Sequence, residues 1–168
     1  MSEQIDITEI YEGDAKSQYA QETLERLSEW FGNKQALDEY ATNVSSLPFW
    51  AAMNADSRCV GFIAVKTHYG HTGDIYVCGV LPEYHRRGVG KKLYACAEAY
   101  FIRGGCKRVI VKTLSDKSDY EPYARTRRFY ESMGFEPLVT LTEMWDAQNP
   151  CLIMLKTLQA AAAPGVHD

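Results

Sequence analysis

The sequence contains no paired-cysteine motif. Its five cysteines are an odd number, and none of them stands in a C-x-x-C pair. This gives no support to a zinc knuckle or to a disulfide framework. We therefore predict reduced and mostly buried cysteines, as is typical of a cytoplasmic protein.

A long hydrophobic run is also missing. No apolar segment approaches the roughly 20 residues that a membrane-spanning helix needs, and the polar first residues do not have the pattern of a signal peptide. These absences predict a cytoplasmic location without a membrane partner. A length of 168 residues suits one domain with a sizeable core.

Basic residues are fewer than acidic ones. The chain has 18 Lys and Arg against 22 Asp and Glu, a net charge of −4, which makes non-specific nucleic-acid binding unlikely. The deficit lies in residues 1–58, where 11 acidic and 4 basic side chains give −7. Residues 59–168 hold 11 acidic and 14 basic side chains, which give +3. The basic loop described next lies in this second region.

What the sequence does have is a strand, a turn, a basic loop and a helix within residues 74–92. Gly88 and Gly90 stand at the expected start of the helix, where backbone amides without a nearby Cβ can approach an anion. Arg86, Arg87 and Lys91 add positive charge there. The segment predicts a phosphate-binding loop, and a glycine-punctuated turn with surface arginines is the alternative. The helix is supported by apolar or small residues at helical spacing, at Val89, Leu93, Cys96, Ala97 and Tyr100.

Two common phosphate-binding motifs do not fit this loop. The Walker pattern needs Gly where His85 stands and Ser or Thr where Lys92 stands, and no G-x-G-x-x-G is present. What remains is H-x-x-G-x-G after Val-Leu-Pro-Glu-Tyr. This resembles the acetyl-coenzyme A loop of the GNAT N-acetyltransferase superfamily, Q/R-x-x-G-x-G/A. His85 stands where that family more often has Gln or Arg.

A second motif supports the resemblance. In residues 124–137, Phe129 and Tyr130 precede a Gly134-Phe135 pair, which is similar to the closing motif of the same family. Local rules predict a helix ending at Met133 with Gly134 as its left-handed cap. The two motifs span about residues 74–137. The family often has Asn where Tyr123 stands, so adenine-side contacts stay open.

The resemblance implies an α/β GNAT fold. Its central sheet is expected to be mixed and mostly antiparallel, with about six to seven strands, flanked by about four helices. Residues 1–158 would form the single domain and residues 159–168 a disordered C-terminal tail. Alternation and helical periodicity predict strands around Ile5–Ile10, at 49–53, 59–67, 74–80, 108–114, 135–141 and 151–156, and further helices at 14–31 and 35–44.

The implied co-substrate is acetyl-coenzyme A, and no metal is expected. Its pantetheine arm would enter a splay between strands 74–80 and 108–114, where backbone groups near Cys78 and Val80 would bond it. The residues alone favour a packing role for the Cys78 side chain. The full set expected to bind the cofactor is Cys78, Val80, His85, Arg86, Arg87, Gly88, Val89, Gly90, Lys91 and Phe129.

Acetyl transfer to an amine needs two proton transfers. Tyr130 matches the family tyrosine that protonates the leaving thiolate, although it could also be a packing residue. Asp74 is the first candidate for the base, and strand alternation predicts that it shares a face with Tyr76, Cys78 and Val80. A strand-start aspartate is the alternative. His68 and His71 are further candidates for the base, but exposed turn histidines fit their pattern better than a metal site.

The acceptor is not identified by the sequence. An acidic wall from the first helices would favour a cationic amine, with ordinary helix surface as the alternative. The preferred hypothesis is an N-acetyltransferase for a small amine, such as a polyamine, an amino acid derivative or an aminoglycoside. The alternatives are a protein or tRNA-amine acetyltransferase and a non-catalytic acetyl-coenzyme A-binding regulatory module. By analogy with the family, a homodimer is possible.

Overall fold

The computed structural model describes residues 3–159 and contains a seven-stranded sheet with four α-helices. The fold class expected from the sequence is confirmed. The predicted tail lies, apart from Gln159, outside the described residues. The strands are β1 (Asp6–Glu9), β2 (Phe49–Met53), β3 (Cys59–His68), β4 (Thr72–Val80), β5 (Arg108–Leu114), β6 (Glu136–Asp146) and β7 (Asn149–Thr157), and the helices are α1 (Gly13–Glu25), α2 (Lys34–Asn43), α3 (Val89–Arg103) and α4 (Glu121–Ser132).

The sheet is mixed, with strand order β1-β2-β3-β4-β5-β7-β6. Strands β4 and β5 are parallel, and the other neighbouring pairs are antiparallel. A parallel pair needs a crossover connection, which α3 supplies. The two motifs found in the sequence therefore flank the same pair of strands, because β4 leads into α3 and β5 leads into α4.

Strand β4 contains a bulge and then separates from β5. In its ladder with β3, Ala64 pairs with Val77 and Val65 with Ile75, so Tyr76 is the extra residue. The parallel ladder joins Thr72–Ile75 to Arg108–Val111, although β4 continues to Val80 and β5 to Leu114. A bulge bends and twists the strand that carries it. We call the gap beyond the last paired residues the β4–β5 opening; it is the predicted splay.

The core consists of two apolar clusters, one on each face of the sheet. On one face, Ile75 and Val111 pack in a cluster with Leu93, Ala97 and Phe101 of α3. On the other face, a second cluster joins α1 and α2 to the sheet, and the rings of Phe49 and Phe62 stack within it with centroids 5.2 Å apart. The sheet thus separates two sets of helices.

Two predicted boundaries are wrong. Helix α1 ends at Glu25 rather than near Phe31, although the apolar spacing continues through Leu27 and Phe31. The chain instead turns repeatedly, with the amides of Leu27 and Phe31 bonded to the carbonyls of Leu24 and Leu27. At the other end, β6 runs through Asp146 instead of ending at residue 141.

No helix within residues 3–159 is long and apolar enough to cross a membrane.

Candidate active site

A cavity of about 560 Å³ lies where β4, the following loop, α3 and α4 meet. All residues predicted to bind the cofactor line it except Arg87, which stacks its guanidinium on the Tyr84 ring at 5.3 Å from the centroid. Tyr130 lines the cavity as well, whereas Asp74 does not. The sequence motifs thus fold into one concave site.

The loop before α3 presents backbone amides to this cavity. Gly88 has a φ of 77° and is the N-cap of the helix, and Arg86 also adopts a left-handed φ of 63°. The first intrahelical bond runs from the Lys92 amide to the Gly88 carbonyl. The amides of residues 89–91 therefore precede the bonded part of the helix, where orphan donors and the helix dipole favour an anion.

Gly90 allows α4 to approach the start of α3. A Cβ at this position would lie 2.8 Å from Cζ of Phe129, closer than real Cβ contacts come. Phe129 in turn packs beside Tyr130, with ring centroids 5.4 Å apart. The absence of a side chain at Gly90 therefore fixes the position of the helix that carries both predicted motif aromatics.

Four cationic side chains surround the cavity. Arg86 and Lys91 come from the predicted loop, whereas Arg125 and Arg128 of α4 were not predicted. The signal was present in the sequence as a basic run at residues 125–128, but only the fold shows which of its members face the loop. Four cations around one cavity suit a ligand with several phosphate groups.

Cys78 and Tyr130 meet inside the cavity. The Tyr130 hydroxyl lies 3.2 Å from Sγ of Cys78. Burial, with the neighbouring Cys78, raises the pKa of Tyr130 well above its usual value, and burial also raises the pKa of the Cys78 thiol. Both groups therefore stay protonated at neutral pH, and Tyr130 is available as a proton donor at the β4–β5 opening.

His85 is held by β4. Its Nε2 lies 2.6 Å from the carbonyl oxygen of Val80, and its ring meets Trp30 edge to face at 5.6 Å. The side chain thus contacts the last residue of β4 and also lines the cavity. Its predicted role in cofactor binding stays a prediction.

Residues 26–33, here called the Trp30 segment, reach across the cavity to α4. The Trp30 indole N–H donates to the Pro122 carbonyl at 3.0 Å and to Thr126 Oγ1 at 3.1 Å. The Tyr123 hydroxyl donates to the Trp30 carbonyl at 2.8 Å, and burial raises the pKa of Tyr123 to about 12. Tyr123, at the position where the family often has Asn, is thus bonded to the Trp30 segment.

Asp74 lies on the other face of the sheet. Ile75 and Cys78 pack in the same cluster below α3, because the bulge at Tyr76 shifts the alternation by one residue. The expectation that Asp74 shares a face with Cys78 is therefore wrong. Asp74 is 4% exposed, and its carboxylate lies 2.7 Å from His68 Nε2 and 3.6 Å from Lys112 Nζ.

Aromatic side chains line the same face next to Asp74. Tyr76 follows the last β4 residue paired with β5, and its ring meets that of Tyr40 at 5.3 Å. Tyr40 also meets Phe31 at 5.9 Å, and Asn43 donates to the Tyr76 hydroxyl at 2.9 Å. The Lys66 ammonium lies 4.2 Å from the Tyr76 ring centroid, so this aromatic face already holds a cation.

The two turn histidines do not form a pair. His71 Nδ1 lies 2.7 Å from Thr72 Oγ1 and 3.2 Å from the Arg108 guanidinium, whereas His68 turns to Asp74. In the described part of the chain, no group of three or more His, Cys, Asp or Glu side chains could hold a metal ion.

Comparison with known proteins agrees with this architecture. The chain is 33% identical over 75 residues to a mycothiol acetyltransferase from Arthrobacter sp. (strain FB24), a match that covers 42% of this chain and 23% of that relative's length. The fold superimposes on the ribosomal-protein-S18-alanine N-acetyltransferase from Escherichia coli with a TM-score of 0.74, at 14% identity, covering 98% of this chain and 100% of that one. An aminoglycoside 6′-N-acetyltransferase solved with coenzyme A gives a TM-score of 0.73 at 16% identity, covering 94% and 99%.

The splayed sheet, the helix N-terminus and the cationic cavity define a class of domain built around a phosphate-bearing ligand. The particular class follows from the match to a family model over residues 5–135. The chain belongs to the acetyltransferase (GNAT) family.

Proposed function

We propose that this protein transfers the acetyl group of acetyl-coenzyme A to a primary amine of a small molecule. One observation carries the proposal. A cationic cavity with a protonated tyrosine lies on one face of the sheet at the β4–β5 opening, and the buried Asp74 carboxylate lies on the other face, one residue before the last residue of β4 that pairs with β5. Two substrates can thus meet through the sheet, each held by its own set of residues.

The residues of the cavity fit acetyl-coenzyme A. The amides at the start of α3, together with Arg86 and Lys91, would hold the pyrophosphate, and Arg125 and Arg128 lie on the opposite wall. At Gly88, with its left-handed φ of 77°, an added Cβ would meet nothing within 4 Å, so the backbone there is open to the close approach of a phosphate. The unpaired part of β4 beyond Ile75 offers backbone groups for the pantetheine arm.

The transfer then needs no covalent enzyme intermediate. Holding the amine nitrogen against the thioester carbonyl supplies proximity and orientation. The acceptor ammonium first loses a proton to Asp74, and the free amine then attacks. The C–N bond forms as the C–S bond breaks, Tyr130 protonates the leaving thiolate, and the second proton lost by the acceptor nitrogen restores the Tyr130 hydroxyl.

The acceptor face supports a cationic small amine. The Asp74 carboxylate is contacted by Lys112 at 3.6 Å, and the Tyr76 ring by the Lys66 ammonium at 4.2 Å, so a cationic amine would take the place of these lysines beside Asp74 and the Tyr40–Tyr76 pair. The acidic first third of the chain adds a field that attracts cations. Polyamines, amino acid derivatives and aminoglycosides share this chemistry. A homodimer and a cytoplasmic location stay predictions.

Thiol release from acetyl-coenzyme A tests the proposal. Purified protein is assayed across polyamines, amino acid derivatives, aminoglycosides, peptides with free N-termini and aminoacyl-tRNA. Amine-dependent release, with the highest kcat/KM for a small cationic amine, supports it. A preference for peptides or tRNA assigns a macromolecular acceptor instead. Coenzyme A binding without release for any acceptor indicates a regulatory module.

Asp74→Asn separates a role in catalysis from a role in folding. We expect about a 100-fold loss of kcat with little change in coenzyme A affinity, since Asp74 lies outside the cavity. Asp56→Asn, in the exposed turn between β2 and β3, is the matched control and should leave kcat unchanged. Equal rates for both variants would remove Asp74 from the mechanism.

A further inference from the structure

The buried carboxylate of Asp74 is connected to solvent by one imidazole ring. His68 is the last residue of β3, and Asp74 lies across the β3–β4 hairpin from it. The His68 Nε2 to Asp74 Oδ2 distance is 2.7 Å. The Asp74 side chain is 6% exposed, whereas that of His68 is 41% exposed. The pair therefore spans the distance from the buried part of the acceptor face to water.

This geometry matters because the proposed reaction delivers a proton to a carboxylate that is shielded from solvent. A primary amine arrives mainly as an ammonium ion and must lose a proton to attack. A carboxylate that takes up this proton while it is buried must pass it on before the next turnover. Imidazole is suited to that task, since its unperturbed titration lies near neutral pH and it has a nitrogen on each side of the ring.

Cationic side chains of β3 and β5 lie around the pair. Lys112 of β5 places its ammonium 3.6 Å from the same Asp74 oxygen that contacts His68. Lys66 of β3 is the register partner of Asp74, and its ammonium lies 4.2 Å from the Tyr76 ring centroid. At the hairpin end, Arg108 contacts His71. The Asp74 carboxylate thus has one ammonium within ion-pair distance and a further lysine at its register position on β3.

We propose that Asp74 and His68 form a proton relay that carries the amine proton from the β4–β5 opening to solvent. The proposal rests on the acetyltransferase function proposed above. The ammonium N–H bond breaks and the proton passes to the Asp74 carboxylate. The Asp74 proton passes to Nε2 of His68 in the tautomer that carries its hydrogen on Nδ1, and the Nδ1 proton of the resulting imidazolium passes to water. Proton exchange with water then returns the imidazole to its starting tautomer, the Asp74 carboxylate is regenerated, and one proton is released for each acetyl group transferred.

His68→Gln tests the relay. The Gln amide can still donate a hydrogen bond to Asp74 but cannot carry a proton. We expect kcat at pH 7 to fall by about 10- to 100-fold, with the acceptor KM unchanged. The loss should shrink between pH 7 and pH 9, where more of the amine is already deprotonated. Added imidazole should restore part of the rate, because the ring position is open to solvent.

His71→Gln is the matched control. It lies in the same hairpin but contacts Thr72 and Arg108 instead of Asp74, so its pH–rate profile should match that of the unmodified protein. A His68→Gln profile that superimposes on the unmodified one overturns the relay. A loss that is the same at every pH and is not rescued by imidazole assigns His68 a purely structural role and overturns it as well.

A second measurement distinguishes failure of the relay from failure of the proposed function. In ¹⁵N-labelled protein, the His68 ring signals are assigned by their absence in His68→Gln. They should move in Asp74→Asn, whereas the His71 signals should not. Unmoved His68 signals reject the relay even in an active enzyme. If the His68 signals move in Asp74→Asn but the protein releases no thiol with any amine, the acetyltransferase function is rejected, and the relay is rejected with it.

Discussion

The two faces of the sheet at the β4–β5 opening are built in different ways. The cofactor face takes its amides, its cations and its glycines mainly from one continuous segment, the end of β4, the loop and the start of α3. The acceptor face combines His68 of β3, Asp74 and Tyr76 of β4, Lys112 of β5 and Tyr40 of α2. One face is thus local in sequence, and the other exists only after the sheet has formed.

This difference suggests how the two substrates are handled. A contiguous loop fixed to a helix N-terminus can keep one cofactor while other parts of the molecule change. Side chains contributed by separate strands and a helix can be replaced one at a time, which alters the acceptor without disturbing the cofactor. We therefore expect substitutions on the two faces to affect different kinetic constants.

Tyr130→Phe should have the largest effect. The substitution removes the hydroxyl beside Cys78, and we expect kcat to fall by about 100-fold or more while coenzyme A still binds. Because burial raises the pKa of Tyr130, the acid form is present up to at least pH 10, so the loss should be similar from pH 6 to pH 9. Thiol release across that range measures it; unchanged turnover would assign the proton to another donor.

Gly90→Ala should have the second-largest effect, a loss of coenzyme A affinity. The added Cβ would lie 2.8 Å from Phe129 and must push α4 away from the loop. We expect about a tenfold loss of coenzyme A affinity, measured by calorimetry, in line with the cost of overpacking. Gly104→Ala, at the other end of the same helix, has its nearest atom at 3.5 Å and serves as the control. Equal affinities for the two variants would contradict the close approach.

Tyr40→Ala should change only the acceptor side. Its ring packs on Tyr76 and Phe31, so its removal opens the aromatic wall. We expect the acceptor KM to rise by about fivefold, the value of one exposed cation–π or aromatic contact, with coenzyme A affinity unchanged. A change in cofactor affinity instead would mean that the two faces are not independent.

Arg128→Gln should have the smallest effect. This α4 side chain lines the cavity, but it is 62% exposed and also contacts Glu121 at 3.2 Å. We expect coenzyme A affinity to fall by about threefold at low salt and by less at high salt, because exposed charges are screened. Arg103→Gln, in the last turn of α3, controls for net charge. An equal loss in both variants would point to overall charge rather than to a contact.

The sequence brought together most residues of the cavity because their determinants are local, and their role in cofactor binding stays a prediction. Glycine positions, a basic loop and helical spacing all act within residues 74–92, and the structure places nearly all of them around one cavity. The sequence also predicted Gly134 as the left-handed cap of α4, and its φ of 97° agrees with that prediction. Strand β5 matches its predicted bounds for the same reason, since its ends coincide with changes in composition.

The acceptor face could not be predicted because it depends on one bulged residue. Tyr76 has no β3 partner, and this single insertion reverses which side chains face which helices. Alternation alone therefore put Asp74 beside Cys78. The end of α1 was missed for a related reason, since Leu27 continues the helical spacing although it already belongs to a turn. In both places, tertiary packing determines the local backbone conformation, which the spacing of apolar residues does not specify.

The position of Trp30 gives the molecule an optical property. Trp50 is buried and Trp145 lies on the edge strand β6, whereas Trp30 lines the cavity between the His85 ring and the Arg125 guanidinium. Indole emission responds to nearby charge and to water, so a ligand entering this cavity should alter the fluorescence of one of three tryptophans. The protein thus carries an intrinsic fluorophore at its ligand site, and cofactor binding can be titrated without a label.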